Sequence, residues 1–238
     1  MNVAVIFAGG VGRRMNSRST PKQFLTLYQK PIIIHTLEVF ENHPQIDAIC
    51  ISCLASHMDY TKELCKRFGI TKLRWIVEGG ATGQESIFHG VRAVYADCPQ
   101  DTVVLIHDGV RPNIGPELIT DNIEMVRRKG TAISCSVATE TPAEVDAEGN
   151  IVNISPRESA VIAKAPQSFL LGEIYAAHIK AREENKEFVD SASLMRNYGH
   201  GLHMVLCPWD NIKITTPSDF YIFRAILEAK ENSQIFGL

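Results

Sequence analysis

An alternation that runs almost the length of the chain constrains its fold most. Short apolar runs, each of strand length, are separated by stretches with helical spacing. The apolar runs are Val3–Phe7, Ala48–Leu54, Leu73–Val77, Val103–His107, Ala132–Val137 and His203–Cys207. Between them, Pro31–Glu41 opens on a proline suited to a first helical turn. Glu85–Tyr95 carries Ile87, Val91 and Val94 on one face. Pro116–Arg128 carries Ile119, Ile123 and Val126 and stops at Gly130. Leu171–Glu184 and Pro217–Lys230 complete the helices, the last with Thr216 before Pro217 and Asp219 in its first turn. Strands alternating with helices predict an α/β fold: a mostly parallel twisted sheet covered by helices on both faces. Ligands of such sheets bind at the carboxyl ends of the strands.

One segment breaks the rhythm. Residues 139–160 are polar, with a turn signal at Glu148-Gly149-Asn150 between Ala143–Val145 and Ile151–Ile154. They predict a β-hairpin arm projecting from a single domain that spans residues 1–238. An arm with so little core of its own is expected to pack on a second subunit, making a homodimer.

The first strand runs into AGGVGRRMNSRSTPKQF, residues 8–24. Gly9, Gly10 and Gly12 allow the backbone to approach a phosphate, and Arg14 and Lys22 bring positive charge to the same place. A P-loop run is absent. A dinucleotide fingerprint fails because Met15 stands where its third glycine belongs, and no acidic residue ends Ala48–Leu54. The stretch is a phosphate-binding loop of another kind, equipped to hold a nucleoside triphosphate.

Composition narrows the partners. A net charge of −3 lacks the basic surface that non-specific nucleic-acid binding needs. No apolar run nears the roughly 20 residues that cross a bilayer, so no membrane partner is expected. The N-terminus carries no signal-peptide pattern, which places the expected location in the cytoplasm. Cys50 and Cys53 have C-x-x-C spacing, but they lie within an apolar run and no second pair completes a metal site.

Four further clusters fall at strand ends or at the base of the arm. Glu78-Gly79-Gly80 runs on to Ser86 near a helix start. His107-Asp108-Gly109-Val110-Arg111-Pro112 follows the fourth strand, and its Asp108 is a natural Mg²⁺ ligand. Thr141 and Arg157 stand at the two ends of the arm. Asp210–Thr215 carries Lys213.

The ordered pieces AGGVGRRM, PKQFL, GG-x5-S, HDGVRP, APQSF and DNIKIT resemble the cytidylyltransferases that activate alditol phosphates. These comprise the 2-C-methyl-D-erythritol 4-phosphate enzymes and the ribitol-5-phosphate enzymes. The resemblance runs from Val3 to about Ile226. It implies a Rossmann-like nucleotidyltransferase fold, with CTP and a polyol phosphate as substrates and Mg²⁺ as cofactor. Gly9, Gly10 and Gly12 would wrap the triphosphate, and Arg14, Lys22 and Lys213 would contact its phosphates. The backbone around Ala8, Gly9 and Gly80, with Ser86, would read the cytosine. Asp108 would bind Mg²⁺ and the ribose region, and Arg111 would brace that loop beside the substrate. Thr141 and Arg157 would hold the alditol phosphate, Arg157 reaching across a dimer. Val189 and Asp190 would border the acceptor.

The residues themselves suit this chemistry. A phosphate monoester has a second pKa of about 6 and is already an anionic nucleophile near neutral pH. Positioning and cations then matter more than a general base, and no nucleophile–base pair stands out in the chain.

Departures bear on the acceptor. Methylerythritol-phosphate enzymes usually carry Arg where Gly83 stands, HDAARP for HDGVRP, T-D-E-A-S for Val189–Ser193 and T-P-Q for Ala165-Pro166-Gln167. Val189 lacks the hydroxyl of that family's threonine. The double glycine Gly9-Gly10, the stretch PKQFLTLYQKPIIIHTLEVF and Val110 lean towards the ribitol-phosphate branch, so D-ribitol 5-phosphate is the expected acceptor and methylerythritol phosphate the alternative. An inactive nucleotide-binding homologue is the non-enzymatic alternative.

Overall fold

Alternate residues of the central strands pack into different cores, which is the period-2 signature of a sheet covered on both sides. In the first strand Ala4, Ile6 and Ala8 enter one core, while Val3 and Val5 enter the other. The computed structural model describes residues 1–9 and 20–236. Its elements run β1 (Asn2–Ala8), β2 (Thr26–Leu27), β3 (Lys30–Pro31), α1 (Ile32–Asn42), β4 (Ala48–Cys53), α2 (Met58–Arg67), β5 (Leu73–Glu78), α3 (Gly83–Asp97), β6 (Val103–Asp108), α4 (Pro116–Lys129) and β7 (Thr131–Val137). They continue through β8 (Ala143–Val145), β9 (Ile151–Ile154), β10 (Val161–Leu170), α5 (Leu171–Glu183), α6 (Ser191–Asn197), β11 (Met204–Leu206) and α7 (Pro217–Phe236).

Among the described residues the main sheet has seven strands, ordered β11-β7-β10-β6-β1-β4-β5. All pairs are parallel except those of β10, which runs antiparallel to both β6 and β7. The chain leaves β1 for β4 and β5 on one side and returns to β6 on the other, so the switch point lies between β1 and β6. There Phe7 is paired with Asp108. Ligand crevices open at such points because neighbouring connections depart to opposite faces.

One core packs α1, α2 and α4 on the sheet through Leu37, Phe40, Leu64, Ile119 and Ile123. The other packs α3, α5 and α6 through Ile87, Val91, Ile174 and Met195. Each such fully buried side chain stabilises the fold by about 1.5–3 kcal/mol. A smaller cluster joins Phe223 of α7 to Val110 and Ile214, and so supports both loops that carry the charged groups described below.

Local signals account for most helix boundaries. Thr82 caps α3 by accepting the Glu85 N–H, while the Glu85 carboxylate accepts the Ala81 N–H. Pro116 opens α4, and Gly130 ends it at φ +84°. At the head of α7, Asp219 accepts from the N–H groups of Thr215 and Thr216. The hairpin strands β8 and β9 have the bounds expected from the sequence.

Besides the two-residue strands β2 and β3, three elements were not expected. Helix α2 is short and polar, burying only Thr61, Leu64 and Cys65. Helix α6 spans 7 residues, too few to establish a period. Strand β10 contains a proline and a lysine and is exposed over its first half. Cys50 and Cys53 are fully buried free thiols, pushed up in pKa chiefly by desolvation.

Candidate active site

Two pockets meet at the carboxyl ends of β1 and β6. The larger, about 570 Å³, is lined by Ala8, Gly9, Lys22, Gly80 and Ser86 among others. The smaller, about 260 Å³, is lined by Arg111, Lys164, Gln167, Val189 and Asp190 among others. Phe7, Gly83, Asp108 and Lys213 line both. The first volume falls in the range of ligand-sized clefts, and the second suits a smaller molecule.

Close backbone approach shapes the larger pocket. A side chain on Gly80 would clash with the Glu85 side chain, and one on Gly9 would meet Ser86 Oγ at 3.0 Å. The Ser86 hydroxyl accepts the Gly80 N–H at 3.0 Å and donates to the Thr82 carbonyl at 2.9 Å. It therefore holds the glycine turn as well as facing the pocket. A short 3₁₀ turn, Lys22–Phe24, brings Lys22 to the same wall. It is fixed by the buried Gln23 amide, which donates to the Ala8 carbonyl at 2.7 Å. Gly10, Gly12 and Arg14 lie outside the described residues.

Asp108 stands where the pockets join. Its carboxylate bonds Lys213 Nζ at 2.6 Å and Arg111 Nε at 3.2 Å, with the Asp108 side chain 6% exposed. Burial by itself would raise this carboxyl, but Lys213 and Arg111 outweigh it and hold the group below the usual carboxylate range. The loop bearing Lys213 is pinned from three directions. Arg111 Nη1 donates to the Asn211 carbonyl, Asn211 Nδ2 donates to the Ala165 carbonyl, and the Ile214 N–H donates to the Val110 carbonyl. Lys213 Nζ also lies 5.8 Å from the centre of the Phe7 ring.

His107, beside this centre, is fully buried, and desolvation lowers its pKa to about 4. It is therefore neutral, with Nε2 3.0 Å from the Arg111 carbonyl. It serves the loop and offers no base to the pockets.

In the smaller pocket Asp190 caps α6. One oxygen accepts the Ser193 N–H and the other the Gln167 amide, while Gln167 Oε1 accepts the Ala192 N–H. Val189 is 93% exposed at the rim. Thr141 and Arg157 lie apart from both pockets within one subunit. Both are exposed at the arm's base, where Arg157 Nη1 donates to the Thr139 carbonyl. Sequence reasoning missed Gln23, Lys164 and Gln167 as individual site residues. The first and third sit inside quoted motifs, PKQFL and APQSF, and that was their only signal.

The donor set suits a Mg²⁺ held mainly by substrate phosphates. Asp108 offers one carboxylate, and each oxygen has a lone pair beyond the one its cation uses. It does not suit an all-protein cage, since no three metal-ligating side chains cluster among the described residues.

A glycine turn, lysines and a lone buried carboxylate at the switch point of a Rossmann-like sheet define a nucleotidyltransferase. The chain belongs to the IspD family, 2-C-methyl-D-erythritol 4-phosphate cytidylyltransferase, which it matches over residues 2–229. It is 48% identical over 238 residues to a ribitol-5-phosphate cytidylyltransferase from Vibrio parahaemolyticus serotype O3:K6, covering 100% of both chains. It is 39% identical over 227 residues to a 2-C-methyl-D-erythritol 4-phosphate cytidylyltransferase from Geotalea uraniireducens, covering 95% of this chain and 96% of that one. The solved 4-diphosphocytidyl-2C-methyl-D-erythritol synthase from Anaerococcus prevotii is similar in fold, with a TM-score of 0.83, 26% identity and coverage of 95% and 96%. Among the described residues no helix is long and apolar enough to cross a membrane.

Proposed function

We propose that this cytidylyltransferase transfers CMP from CTP to D-ribitol 5-phosphate, giving CDP-ribitol and pyrophosphate. The observation that carries the transfer chemistry is the pair of pockets sharing the Asp108–Lys213 ion pair. The full-length likeness to a ribitol-phosphate enzyme supports the acceptor. So does Val189, which replaces a hydroxyl-bearing residue at the rim.

In this reading CTP occupies the larger pocket, with its base against Ala8, Gly9, Gly80 and Ser86. Its triphosphate is held by the glycine loop, Arg14 and Lys22. The polyol phosphate enters the smaller pocket. A phosphate-monoester oxygen forms a bond to the α-phosphorus as the bond from that phosphorus to the bridging oxygen of the β-phosphate breaks. The leaving electron pair goes with pyrophosphate. The nucleophile is already ionised, so the protein's task is to bring two anions together and neutralise the charge that develops. Lys213 is placed for this at the shared wall, and Asp108 fixes its ammonium there. A bound Mg²⁺, held by Asp108 and substrate phosphates, would supply further charge neutralisation.

The arm completes the reading. Val145, Ile151, Val152 and Ile154 are each at least 60% exposed, more apolar surface than a solvated hairpin needs. A second subunit covering them would bring Thr141 and Arg157 to the partner's acceptor pocket.

The test is pyrophosphate release with CTP and Mg²⁺, comparing D-ribitol 5-phosphate, 2-C-methyl-D-erythritol 4-phosphate and D-ribulose 5-phosphate. Preference for ribitol phosphate is expected, and preference for methylerythritol phosphate would overturn the acceptor assignment. Lys22→Ala should abolish turnover with the fold intact. CTP binding without release, for any acceptor, would favour a non-catalytic homologue.

A further inference from the structure

The cations of the acceptor pocket differ in what already holds them. Arg111 spends Nε on Asp108 and Nη1 on the Asn211 carbonyl, and Lys213 is paired with Asp108. Lys164 lines the same pocket, and its ammonium donates at 2.7 Å to a neutral acceptor, the Trp209 carbonyl. Among the described residues no carboxylate forms an ion pair with it.

Its direction is set by an irregularity in β10. The register against β7 breaks between Ala163 and Gln167. The carbonyls beyond Lys164 are taken by side chains, Ala165 by Asn211 and Pro166 by Ser134. A break of this kind re-aims a side chain out of the regular pleat. Here it turns a half-buried lysine towards the pocket shared with Asp108 and Lys213. Burial lowers the Lys164 pKa; Arg111 adds to this, while Cys207 and Asp210 act against it. The ammonium thus sits partly desolvated, and its one hydrogen-bond acceptor carries no charge.

We propose that Lys164 grips the phosphomonoester of the acceptor from within the same subunit, exchanging the Trp209 carbonyl for a phosphate oxygen. The exchange is favourable because a hydrogen bond between two ions is roughly twice as strong as one to a neutral group. The assignment rests on the cytidylyl-transfer reading above and adds an anchor in the same subunit to the arm residues expected from a partner.

The experiment is steady-state pyrophosphate release by the purified protein and its Lys164→Met and Lys164→Arg variants, with thermal melts of each. D-Ribitol 5-phosphate is varied at saturating CTP, then CTP at saturating acceptor. Lys164→Met, which keeps most of the apolar stem, should raise the acceptor KM on the order of 10- to 100-fold. Its CTP KM should stay within about twofold, and its Tm should not move. Lys164→Arg should recover much of the loss. The wild-type acceptor KM should rise with salt more steeply than that of Lys164→Met. With shorter alditol phosphates that the wild type turns over, the fold-loss should be the same.

An unmoved acceptor KM in Lys164→Met overturns the assignment. So does an equal rise in both KM values with a lowered Tm, which would mean that Lys164 only tethers Trp209. A loss that fades as the alditol shortens overturns it too, because Lys164 would then hold hydroxyls. A wild type silent with every polyol phosphate overturns the cytidylyl-transfer reading and this assignment together, whereas an active wild type with an indifferent variant overturns only the assignment.

Discussion

Replacing Lys213 by methionine removes one of two cations from a carboxylate that is already out of water. The Asp108 side chain is 6% exposed and that of Lys213 is 41% exposed. Breaking a fully buried pair costs about 3–5 kcal/mol, and an exposed pair is worth about 0.2–1 kcal/mol. Lys213 is partly screened by solvent, and Arg111 stays at 3.2 Å from Asp108, so the loss falls between these limits, at about 1–3 kcal/mol. For a chain of 238 residues this lowers Tm by roughly 2–12 °C.

The pH dependence has a definite sign. In the native protein the Asp108 carboxyl lies below its unfolded value, so its contribution is full above about pH 4 and is lost as pH falls through the lower folded value. Without Lys213 burial is opposed by Arg111 and, more weakly, by His107, and the acid unfolding limb moves to higher pH. Adding Asp108→Asn to Lys213→Met should not restore the Tm, because it leaves the buried Arg111 guanidinium without its carboxylate. Nor should it restore turnover, because kcat depends on the lysine and falls by about 100-fold or more. Calorimetric melts between acid and neutral pH, with pyrophosphate release, measure both effects. A single variant as stable as the wild type, or a double variant restored to wild-type stability, refutes the compensation. An unchanged kcat refutes the catalytic role.

Three further outcomes are expected. Burial pushes His107 and His178 each down to about 4, so stability is full above the ordinary value of 6.5 and is lost as pH falls from there towards 4, by up to about 1.4 kcal/mol per histidine per pH unit. His178→Phe, beside the Phe88 ring at 5.7 Å, should remove one histidine's share of that slope in melts over this window; an unaltered slope would count against it. Val189→Thr restores a hydroxyl at the rim. It should shift the kcat/KM ratio towards methylerythritol phosphate by about tenfold without altering Tm, and an unmoved ratio would strip Val189 of its part in specificity. Ile151→Asp with Ile154→Asp should convert a dimer to a monomer in sedimentation and abolish acceptor turnover while leaving CTP binding intact. A wild type that sediments as a monomer would exclude the arm-mediated dimer.

The elements that could be read in advance were those whose apolar residues repeat with one clear period. Val3–Phe7, Ala48–Leu54 and Val103–His107 became the buried centre of the sheet, and Gly130 ended α4 where its backbone freedom is used. The hairpin was legible from its turn residues alone. Strand β10 was not, because VIAKAPQSFL has no clean alternation and a proline argues against a central strand. Only its antiparallel seat between β6 and β7, with Asn211 and Ser134 serving the carbonyls at its break, makes those residues a strand.

The glycine turns, Lys22 and Asp108 could be nominated from residue type and local spacing, since phosphate and charge chemistry restrict which side chains serve, whereas the roles of Arg111 and Lys213 came from the family resemblance. Which of them meet could not be read from spacing. Asp108 and Lys213 are joined by an ion pair only because β6 and the loop after β11 reach the same end of the sheet. Ser86 and Asp190 have their hydrogen bonds committed to a turn and a helix cap, and Lys164 enters the site through a break in register. Local pattern is written in neighbouring residues and survives in the chain alone. A shared wall between two pockets depends on strand order, which arises when both faces of the sheet are buried at once.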